Sequence, residues 1–261
     1  MANQVQEGFL YEKNAWAALK PFGITGQKPA GASHNRPDLE LKVGRITTGV
    51  ELKNQPTTAG SLVMQYIDGE WQFGPTGDNT EKEFMKGVGM RAKVLDRMNE
   101  EWKKPVLQYT SQGQKKYIGA EDSKKAYDLD IAKFGGRGAG DIYESVPNKL
   151  ISGYYNQKKT FYMNVGTHGL FLLGSSDPFD FNGKLKKAKL PPVPDFSTPR
   201  SAETKIRIRC QYKGSGSYQF TFTLQFGKVM KSPYNIAPIK QGSSSAIDTA
   251  KLRKDAIIGI F

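Results

Sequence analysis

Residues 37–55, PDLELKVGRITTGVELKNQ, predict two short strands joined by a turn. From Asp38 onwards apolar and charged residues alternate, so that one face of the extended chain is apolar and the other is charged. The pattern breaks at Gly44 and in the threonines that follow, and it resumes around Glu51. If the two strands pair, Asp38 comes beside Glu51 and Lys53 at the end of a small sheet. A surface hairpin with a solvated charged face is the alternative interpretation.

Two carboxylates beside one amine form a set that suits the hydrolysis of phosphodiesters. Mg²⁺ takes oxygen ligands, commonly one or two carboxylates, and a bound metal lowers the pKa of its water. A neighbouring lysine can orient the attacking water and offset developing negative charge. With Pro37-Asp38 and Glu51-Leu52-Lys53, the stretch resembles the signature of the PD-(D/E)xK nuclease superfamily.

This resemblance implies a restriction-endonuclease-like fold and a Mg²⁺-dependent endonuclease in which Mn²⁺ can substitute. In the superfamily the Asp and Glu hold the metal together with the backbone carbonyl of the residue between Glu and Lys. The ligands implied here are therefore Asp38, Glu51 and Leu52, and Lys53 is implied to assist the nucleophile. The expected fold class is α/β of the α+β type, with a mixed central sheet flanked by helices and a C-terminal β-rich extension.

Residues 6–20 predict a helix that ends before Pro21. Its apolar surface is expected to come from Phe9, Leu10, Trp16 and Leu19. The spacing of residues in GFLYEKNAW, from Gly8 onwards, is similar to the opening helix of viral and bacterial members of the same superfamily. In those members a glutamate on this helix leans toward the metal, which implies a catalytic role for Glu12, with Glu7 as the second candidate. An exposed glutamate on an amphipathic helix is the alternative for either residue.

The charge of the chain indicates a polyanionic partner. Lys and Arg outnumber Asp and Glu by 38 to 25, which gives a net charge of +13. Neutralising phosphates with such cations releases counterions, so DNA is the expected partner. Attraction to a membrane surface is the alternative source of a basic composition.

Other features of the composition bear on the compartment and on metal chemistry. No apolar run approaches the ~20 residues that a membrane span needs, and the N-terminal residues lack a secretory pattern. The single cysteine, Cys210, excludes an internal disulfide, and two histidines far apart in sequence, His34 and His168, argue against a zinc site. We therefore expect a protein that works in the cytoplasm or inside a host cell and is not secreted, and the resemblance to the superfamily implies a phage or viral protein.

Between the signature and the C-terminal third, the sequence predicts further regular elements. Asp68-Gly69 predicts a hairpin within 61–73, and Asn79-Thr80 with Glu83 forms a capping box for a helix that runs to about Lys103. A short helix is expected at 121–133, and a helix followed by two strands around Gly166 at 145–174. The GGRGAG loop at 135–140 follows no strand, so it is not a dinucleotide-binding loop.

Several polar residues outside the signature are candidates for contact with DNA. Gln55 falls where related nucleases often carry a polar residue near the water. Arg137, in the glycine-rich loop, is a candidate for a phosphate contact, although an ordinary loop residue is the alternative. Further candidates are the basic residues of a C-terminal strand, Lys205, Arg207, Arg209 and Lys213.

The C-terminal third predicts a basic hairpin behind a connector. Residues 181–200 are rich in Lys and Pro and are expected to be extended, so a nuclease core at 1–180 would precede an extension at 201–261. On both sides of Gly214-Ser215-Gly216 apolar residues alternate with basic or amide residues. A two-stranded ribbon of this kind fits the major groove, where Arg and Gln read base edges. A half-buried sheet with a solvated cationic face is the alternative.

The leading hypothesis is a Mg²⁺-dependent DNA endonuclease of the restriction, homing or junction-resolving kind. Sequence-specific cleavage of both strands would normally require a homodimer, and that option stays open. A basic nucleic-acid-binding protein without catalysis is the main alternative. A viral structural or assembly protein is the third class.

Overall fold

The computed structural model describes residues 4–27, 36–55, 58–74, 90–135, 140–213, 217–243 and 245–254. Over these residues the chain is of the α+β class, with mixed sheets and helices. The helices are α1 Gln4–Leu19, α2 Met90–Glu101, α3 Ser123–Phe134, α4 Asn148–Gln157, α5 Phe181–Lys187 and α6 Thr249–Lys254. The strands are β1 Thr25–Gln27, β2 Leu39–Val43, β3 Ile46–Lys53, β4 Thr58–Ile67, β5 Glu70–Phe73, β6 Leu107–Tyr109, β7 Lys115–Tyr117, β8 Ile142–Val146, β9 Thr160–Val165, β10 Gly169–Leu172, β11 Ala202–Lys213 and β12 Ser217–Val229. None of the helices in these described ranges is long and apolar enough to cross a membrane.

The chain divides into two compact units, and both are discontinuous in sequence. Unit 1 comprises residues 1–57, 147–203 and 226–261, and unit 2 comprises 58–146 and 204–225. This division differs from the expected core, connector and extension at 1–180, 181–200 and 201–261, because strand pairing joins distant segments. Nor is the start of the connector extended, since it forms α5, whose Phe181 and Leu185 are buried.

The sheet of unit 1 has the strand order β1-β2-β3-β9-β10. Strands β2 and β3 form an antiparallel hairpin in the register Leu39↔Val50, and β3 runs parallel to β9. The predicted interruption across 47–49 does not occur, because Thr48 and Gly49 both pair with β2 and continue β3 to Lys53. The predicted helix and two strands at 145–174 are present as α4, β9 and β10.

Helix α1 covers the apolar face of this sheet. Tyr11, Ala15 and Leu19 are buried at a spacing of four residues, which places them on one side of the helix. They belong to the same core cluster as the inward-facing side chains of β2 and β3, Leu39, Leu41, Val50 and Leu52. The expectation for Leu19 is thus confirmed, whereas Phe9 and Leu10 are exposed and do not pack in this core.

Unit 2 contains a second sheet with the order β7-β6-β4-β12-β11-β8, and β5 pairs with β4. The β4–β5 hairpin turns at Asp68 and Gly69, as predicted, and both residues have positive φ. Helix α3 confirms the predicted short helix, while the part of the long helix with its capping box lies outside the described residues. The core between sheet and helices is aromatic, with Trp71 in edge contact with Trp102 and Phe220.

A buried carboxyl group, Asp130 of α3, ties this helix to the sheet of unit 2. Its two oxygens accept hydrogen bonds from Val106 N–H at 2.6 Å, Leu107 N–H at 3.1 Å and the Tyr218 hydroxyl at 2.7 Å. Burial raises the pKa of the Asp130 carboxyl, and the three hydrogen bonds act in the opposite direction. The side chain therefore links α3, β6 and β12.

Replacing Asp130 is expected to destabilise unit 2 more than removing one of its partners. Asp130→Ala leaves the buried donors without an acceptor and should cost about 3 kcal/mol or more, whereas Tyr218→Phe should cost about 1–2 kcal/mol. Urea denaturation followed by tryptophan fluorescence measures this, since Trp71 and Trp102 both lie in unit 2. Equal losses for the two variants would contradict the proposed link.

Candidate functional site

The register of the β2–β3 hairpin brings two carboxylates together in unit 1. Because Leu39 pairs with Val50, the residue before Leu39, Asp38, comes opposite Glu51 at the end of the hairpin. Residues opposite each other in an antiparallel pair place their side chains on the same face. The N–H of Leu52 donates a hydrogen bond of 2.8 Å to Asp38 Oδ2, which fixes this carboxylate against β3.

Lys53 completes the group from the same strand. Residues two apart in a strand share a face, and Lys53 Nζ donates to Glu51 Oε1 at 2.7 Å. The side chains of Lys53 and Glu51 are only 16% and 10% exposed, so solvent screens their attraction less than it screens a surface pair. Asp38, Glu51 and Lys53 therefore meet as the sequence predicts.

Glu12 approaches the same group from helix α1. Its side chain is buried, and its charge is close enough to raise the pKa of Asp38. Glu7, the other candidate on this helix, is not among the groups that shift Asp38. Of the two helix glutamates, Glu12 is thus the one that the fold brings to the hairpin.

The electrostatics of the site are those of like charges held together around one cation. Burial raises the pKa of the Asp38 carboxyl well above its ordinary value, Glu51 raises it further, Lys53 lowers it, and Glu12 raises it again. Burial alone would lower the pKa of Lys53, but Glu51 and then Asp38 outweigh this effect and raise it above its ordinary value. Lys53 therefore stays protonated at neutral pH.

Tyr154 of helix α4 joins the site, and Lys158, the residue that follows this helix, contacts it; neither was expected there. Tyr154 is buried and close enough to Lys53 to affect its pKa, and the Tyr154 hydroxyl accepts a hydrogen bond of 2.5 Å from Lys158 Nζ. The sequence carries one signal for this pair, because residues four apart lie on the same face of a helix. Nothing in the local sequence shows that α4 comes beside β3.

Gly49 allows the loop before β2 to pack closely on β3. A Cβ added at Gly49 would lie 2.7 Å from Pro37 Cβ and 2.8 Å from Thr160 Oγ1. Real side chains do not approach so closely, so any other residue would displace Pro37 or β9. Since Asp38 follows Pro37 directly, the absence of a side chain at Gly49 helps to set the position of the carboxylate.

The donor set around Asp38 suits a hard cation such as Mg²⁺. Carboxylate oxygens of Asp38 and Glu51 and the carbonyl of Leu52 are oxygen ligands, and Mg²⁺ usually binds through one or two carboxylates and keeps several waters. Over the ranges that the structure describes, no three His, Cys, Asp or Glu side chains are grouped so as to hold a metal by themselves. A metal here would therefore depend on two carboxylates together with backbone and water oxygens.

The predicted DNA-contacting residues are distributed over both units. Gln55 is exposed just beyond the end of β3 in unit 1 and lines a pocket there. Arg137 lies outside the described residues, and so does the side chain of Lys213. Lys205, Arg207 and Arg209 belong to unit 2, whereas the carboxylates of the hairpin belong to unit 1.

The basic strand is not half of a free two-stranded ribbon. Strand β11 has neighbours on both sides, β12 and β8, so its backbone is used within the sheet of unit 2. Arg207 forms an ion pair of 2.5 Å with Asp141, and Lys205 Nζ lies 4.6 Å from the centre of the Tyr143 ring. The ribbon interpretation missed these contacts because β8 lies about sixty residues before β11 in the chain. Arg209 lines a cavity of about 350 Å³ with Tyr127 and Tyr212.

Comparisons with protein-family models, with curated proteins and with solved structures find no match to this chain. The residues and geometry of the chain itself are thus the grounds for assigning a function. In unit 1 these grounds are Asp38, Glu51, Lys53 and Glu12, which one sheet and one helix bring together.

Replacement of Gly49 by alanine is expected to disturb the site, whereas the same change at Gly153 is not. Gly49→Ala forces Pro37 or Thr160 to move and should destabilise unit 1 by about 1–3 kcal/mol. A Cβ at Gly153 in α4 meets nothing within 4 Å, and Gly153→Ala should stabilise the chain by about 0.5–1 kcal/mol. Hydrogen exchange of the peptides that contain β3 and α4 measures both effects. A neutral Gly49→Ala would contradict the close packing.

Removal of the Asp38 charge is expected to stabilise unit 1 in a pH-dependent way. The folded-state pKa of Asp38 lies above its unfolded value, so its contribution to stability is present at low pH and is lost as the pH rises through the folded pKa. In EDTA, Asp38→Asn should therefore raise the free energy of unfolding by about 0.5–2 kcal/mol at pH 8 and by less at pH 5. Denaturation at both pH values, followed by hydrogen exchange of the peptide that contains β3, measures the difference in the free energy of unfolding. If Asp38→Asn stabilises the protein no more at pH 8 than at pH 5, or destabilises it at pH 8, the ionised Asp38 carboxylate is not unfavourable in the folded state.

Proposed function

We propose that the chain is a Mg²⁺-dependent DNA endonuclease that hydrolyses phosphodiester bonds at the site formed by Asp38, Glu51 and Lys53. The observation that carries this proposal is the convergence of two carboxylates and an ammonium group at the end of one hairpin. A solvated surface hairpin would leave such groups exposed and apart. Here Glu51 and Lys53 are largely buried and hydrogen-bonded to each other.

The arrangement of unit 1 supports a restriction-endonuclease-like core. An opening helix carries Glu12, a hairpin carries the other charged residues, and β9 lies parallel to β3 after helix α4. A mixed sheet flanked by helices is what the PD-(D/E)xK resemblance implies. That resemblance extends to Leu52, whose position between Glu51 and Lys53 would give its backbone carbonyl a place in the metal site.

Each residue of the site has a distinct part in the proposed reaction. Asp38, Glu51 and the Leu52 carbonyl would hold Mg²⁺, which when bound lowers the pKa of a water and offsets charge on the phosphate. Lys53 is a protonated donor fixed by Glu51, so it would orient the attacking water and offset charge on the phosphate. Glu12 would add a further carboxylate from α1.

The expected substrate is DNA, because the charge of the chain fits a polyanion. The net charge is +13, and each phosphate contact made by a Lys or Arg adds affinity through counterion release. Hydrolysis at this site would involve one phosphodiester at a time, so the site alone would set no sequence preference. Sequence or structure preference would come from residues outside the hairpin.

Cleavage of supercoiled plasmid tests the proposal directly. The wild-type protein should nick or linearise plasmid in Mg²⁺ or Mn²⁺ and not in EDTA. Lys53→Ala and Asp38→Ala should each lower the rate by at least about 100-fold, because positioned acid–base and electrostatic groups typically contribute this much. Glu40→Gln is the control. It removes a carboxylate of β2 that has no part in the proposed reaction, and it should retain activity.

Thermal denaturation with added metal tests metal binding without any substrate. Ligand that binds the folded state alone stabilises it by RT ln(1 + [L]/Kd), so 10 mM Mg²⁺ should raise the Tm of the wild type and not that of Asp38→Ala. If plasmid, branched and single-stranded DNA all stay intact while DNA is retarded on a gel, catalysis is disproved. A nucleic-acid-binding protein without catalysis would then be the better description.

A further inference from the structure

A polar pocket opens beside the carboxylate hairpin in unit 1. It has a volume of about 370 Å³ and is lined by residues from three segments, among them Gln55, Gly166, Thr167, Lys240, Ser243 and Lys251. Its walls present amide, hydroxyl and ammonium groups. This set of donors recognises the oxygens of a phosphate and not an apolar ligand.

The position of this pocket follows from the pairing of β3 with β9. Both strands run in the same direction, and Gly166 N–H donates to the Lys53 carbonyl at 2.8 Å. Gln55 is two residues beyond Lys53, so the two Cα atoms are at most about 7 Å apart. The pocket therefore begins where the strand that carries Glu51 and Lys53 ends.

Hydrogen bonds hold the C-terminal wall of the pocket in place. Ile239 N–H donates to the Gly166 carbonyl at 3.2 Å, and Lys240 N–H donates to the Ala246 carbonyl. An isolated bridge joins Ile239 to Ile247, which closes the loop that carries Lys240. A Cβ at Gly166 would come within 2.4 Å of the Ile239 side chain, so the wall packs directly on the end of β9.

The pocket carries two ammonium groups, and over the described residues neither has an acidic partner. Within the ranges that the structure describes, neither Lys240 nor Lys251 takes part in an ion pair. The acidic residue of the same segment, Asp248, accepts a hydrogen bond of 2.9 Å from the backbone N–H of Lys251 at the start of α6. Both lysine side chains are exposed and can reach an anion in the pocket.

We propose that this pocket binds a backbone phosphate of the DNA strand next to the bond that is cut, with Lys240 and Lys251 as the charged contacts. Gln55, Thr167 and Ser243 would supply neutral hydrogen bonds to the same phosphate or its sugar. The contact carries no sequence information and sets the register of the strand relative to Lys53. The placement of this phosphate next to the cleaved bond rests on the proposed function. Phosphate binding itself rests on the pocket alone.

The test is the salt dependence of binding to a fluorescent duplex in EDTA, where no cleavage occurs. Each phosphate contact contributes about 0.9 to the slope of log K against log[salt]. Because both lysines contact the same phosphate, Lys240→Ala/Lys251→Ala should lower the slope by about 0.9, so its affinity deficit should shrink roughly 3.5-fold between 50 and 200 mM salt. Lys240→Arg/Lys251→Arg keeps both charges and should keep the wild-type slope.

The matched control removes two exposed charges elsewhere in the same unit. Lys186→Ala/Lys187→Ala, at the end of α5, changes the net charge equally and should lower the slope by much less. If the control lowers the slope as much as the pocket variant, general charge explains the effect and the pocket proposal fails. Melting curves for all variants show that they are folded, as expected for exposed lysines.

The two proposals fail in different ways. A reduced slope for the pocket variant together with no cleavage of any DNA would leave the phosphate site standing and remove the nuclease. Metal-dependent cleavage with an unchanged slope would leave the nuclease standing and remove the phosphate site.

Discussion

The antiparallel register of β2 and β3 is the constraint on which the candidate site depends. With Leu39 opposite Val50, the apolar residues of both strands face α1 and the charged residues at the end of the hairpin share the other face. A shift of one residue would turn Asp38 and Glu51 away from each other and expose the core. Burial of the core thus fixes the register, and the register in turn fixes the distance between the two carboxylates. The same free energy that folds unit 1 holds the site together.

The electrostatic free energy of the candidate site is unfavourable. Asp38, Glu51 and Glu12 are like charges in a partly buried place, and the pKa of Asp38 is raised first by burial and further by Glu51 and Glu12. Lys53 offsets part of this because it is fixed against Glu51. Strongly perturbed pKa values, raised by burial and by neighbouring like charges, cluster at functional sites. The excess of negative charge is the feature that separates this group from an ordinary buried salt bridge.

The sequence could predict the contacts between residues that are close together in the chain. Alternation of apolar and charged residues identifies β2 and the end of β3, and the residue spacing predicts that Asp38, Glu51 and Lys53 meet. The parallel pairing of β3 with β9 could not be read in this way, because about a hundred residues separate the two strands. For the same reason Tyr154 of α4 was missed at the site. The basic strand β11 was read as a free ribbon, since its pairing with β8 is also distant in sequence.

The residues of the candidate site come from distant parts of the chain, because residues 58–146 of unit 2 lie between them in sequence. Asp38, Glu51 and Lys53 come from one hairpin, which can form as soon as these residues are present. Tyr154, Gly166 and Lys240 join them only when β9 pairs with β3, after the chain has passed through 58–146. Contacts between distant segments form slowly, because loop closure costs entropy before the pairing stabilises the chain. In the proposed function the hairpin would supply the reacting groups, and the pairing of β3 with β9 would supply the walls that position a substrate against them.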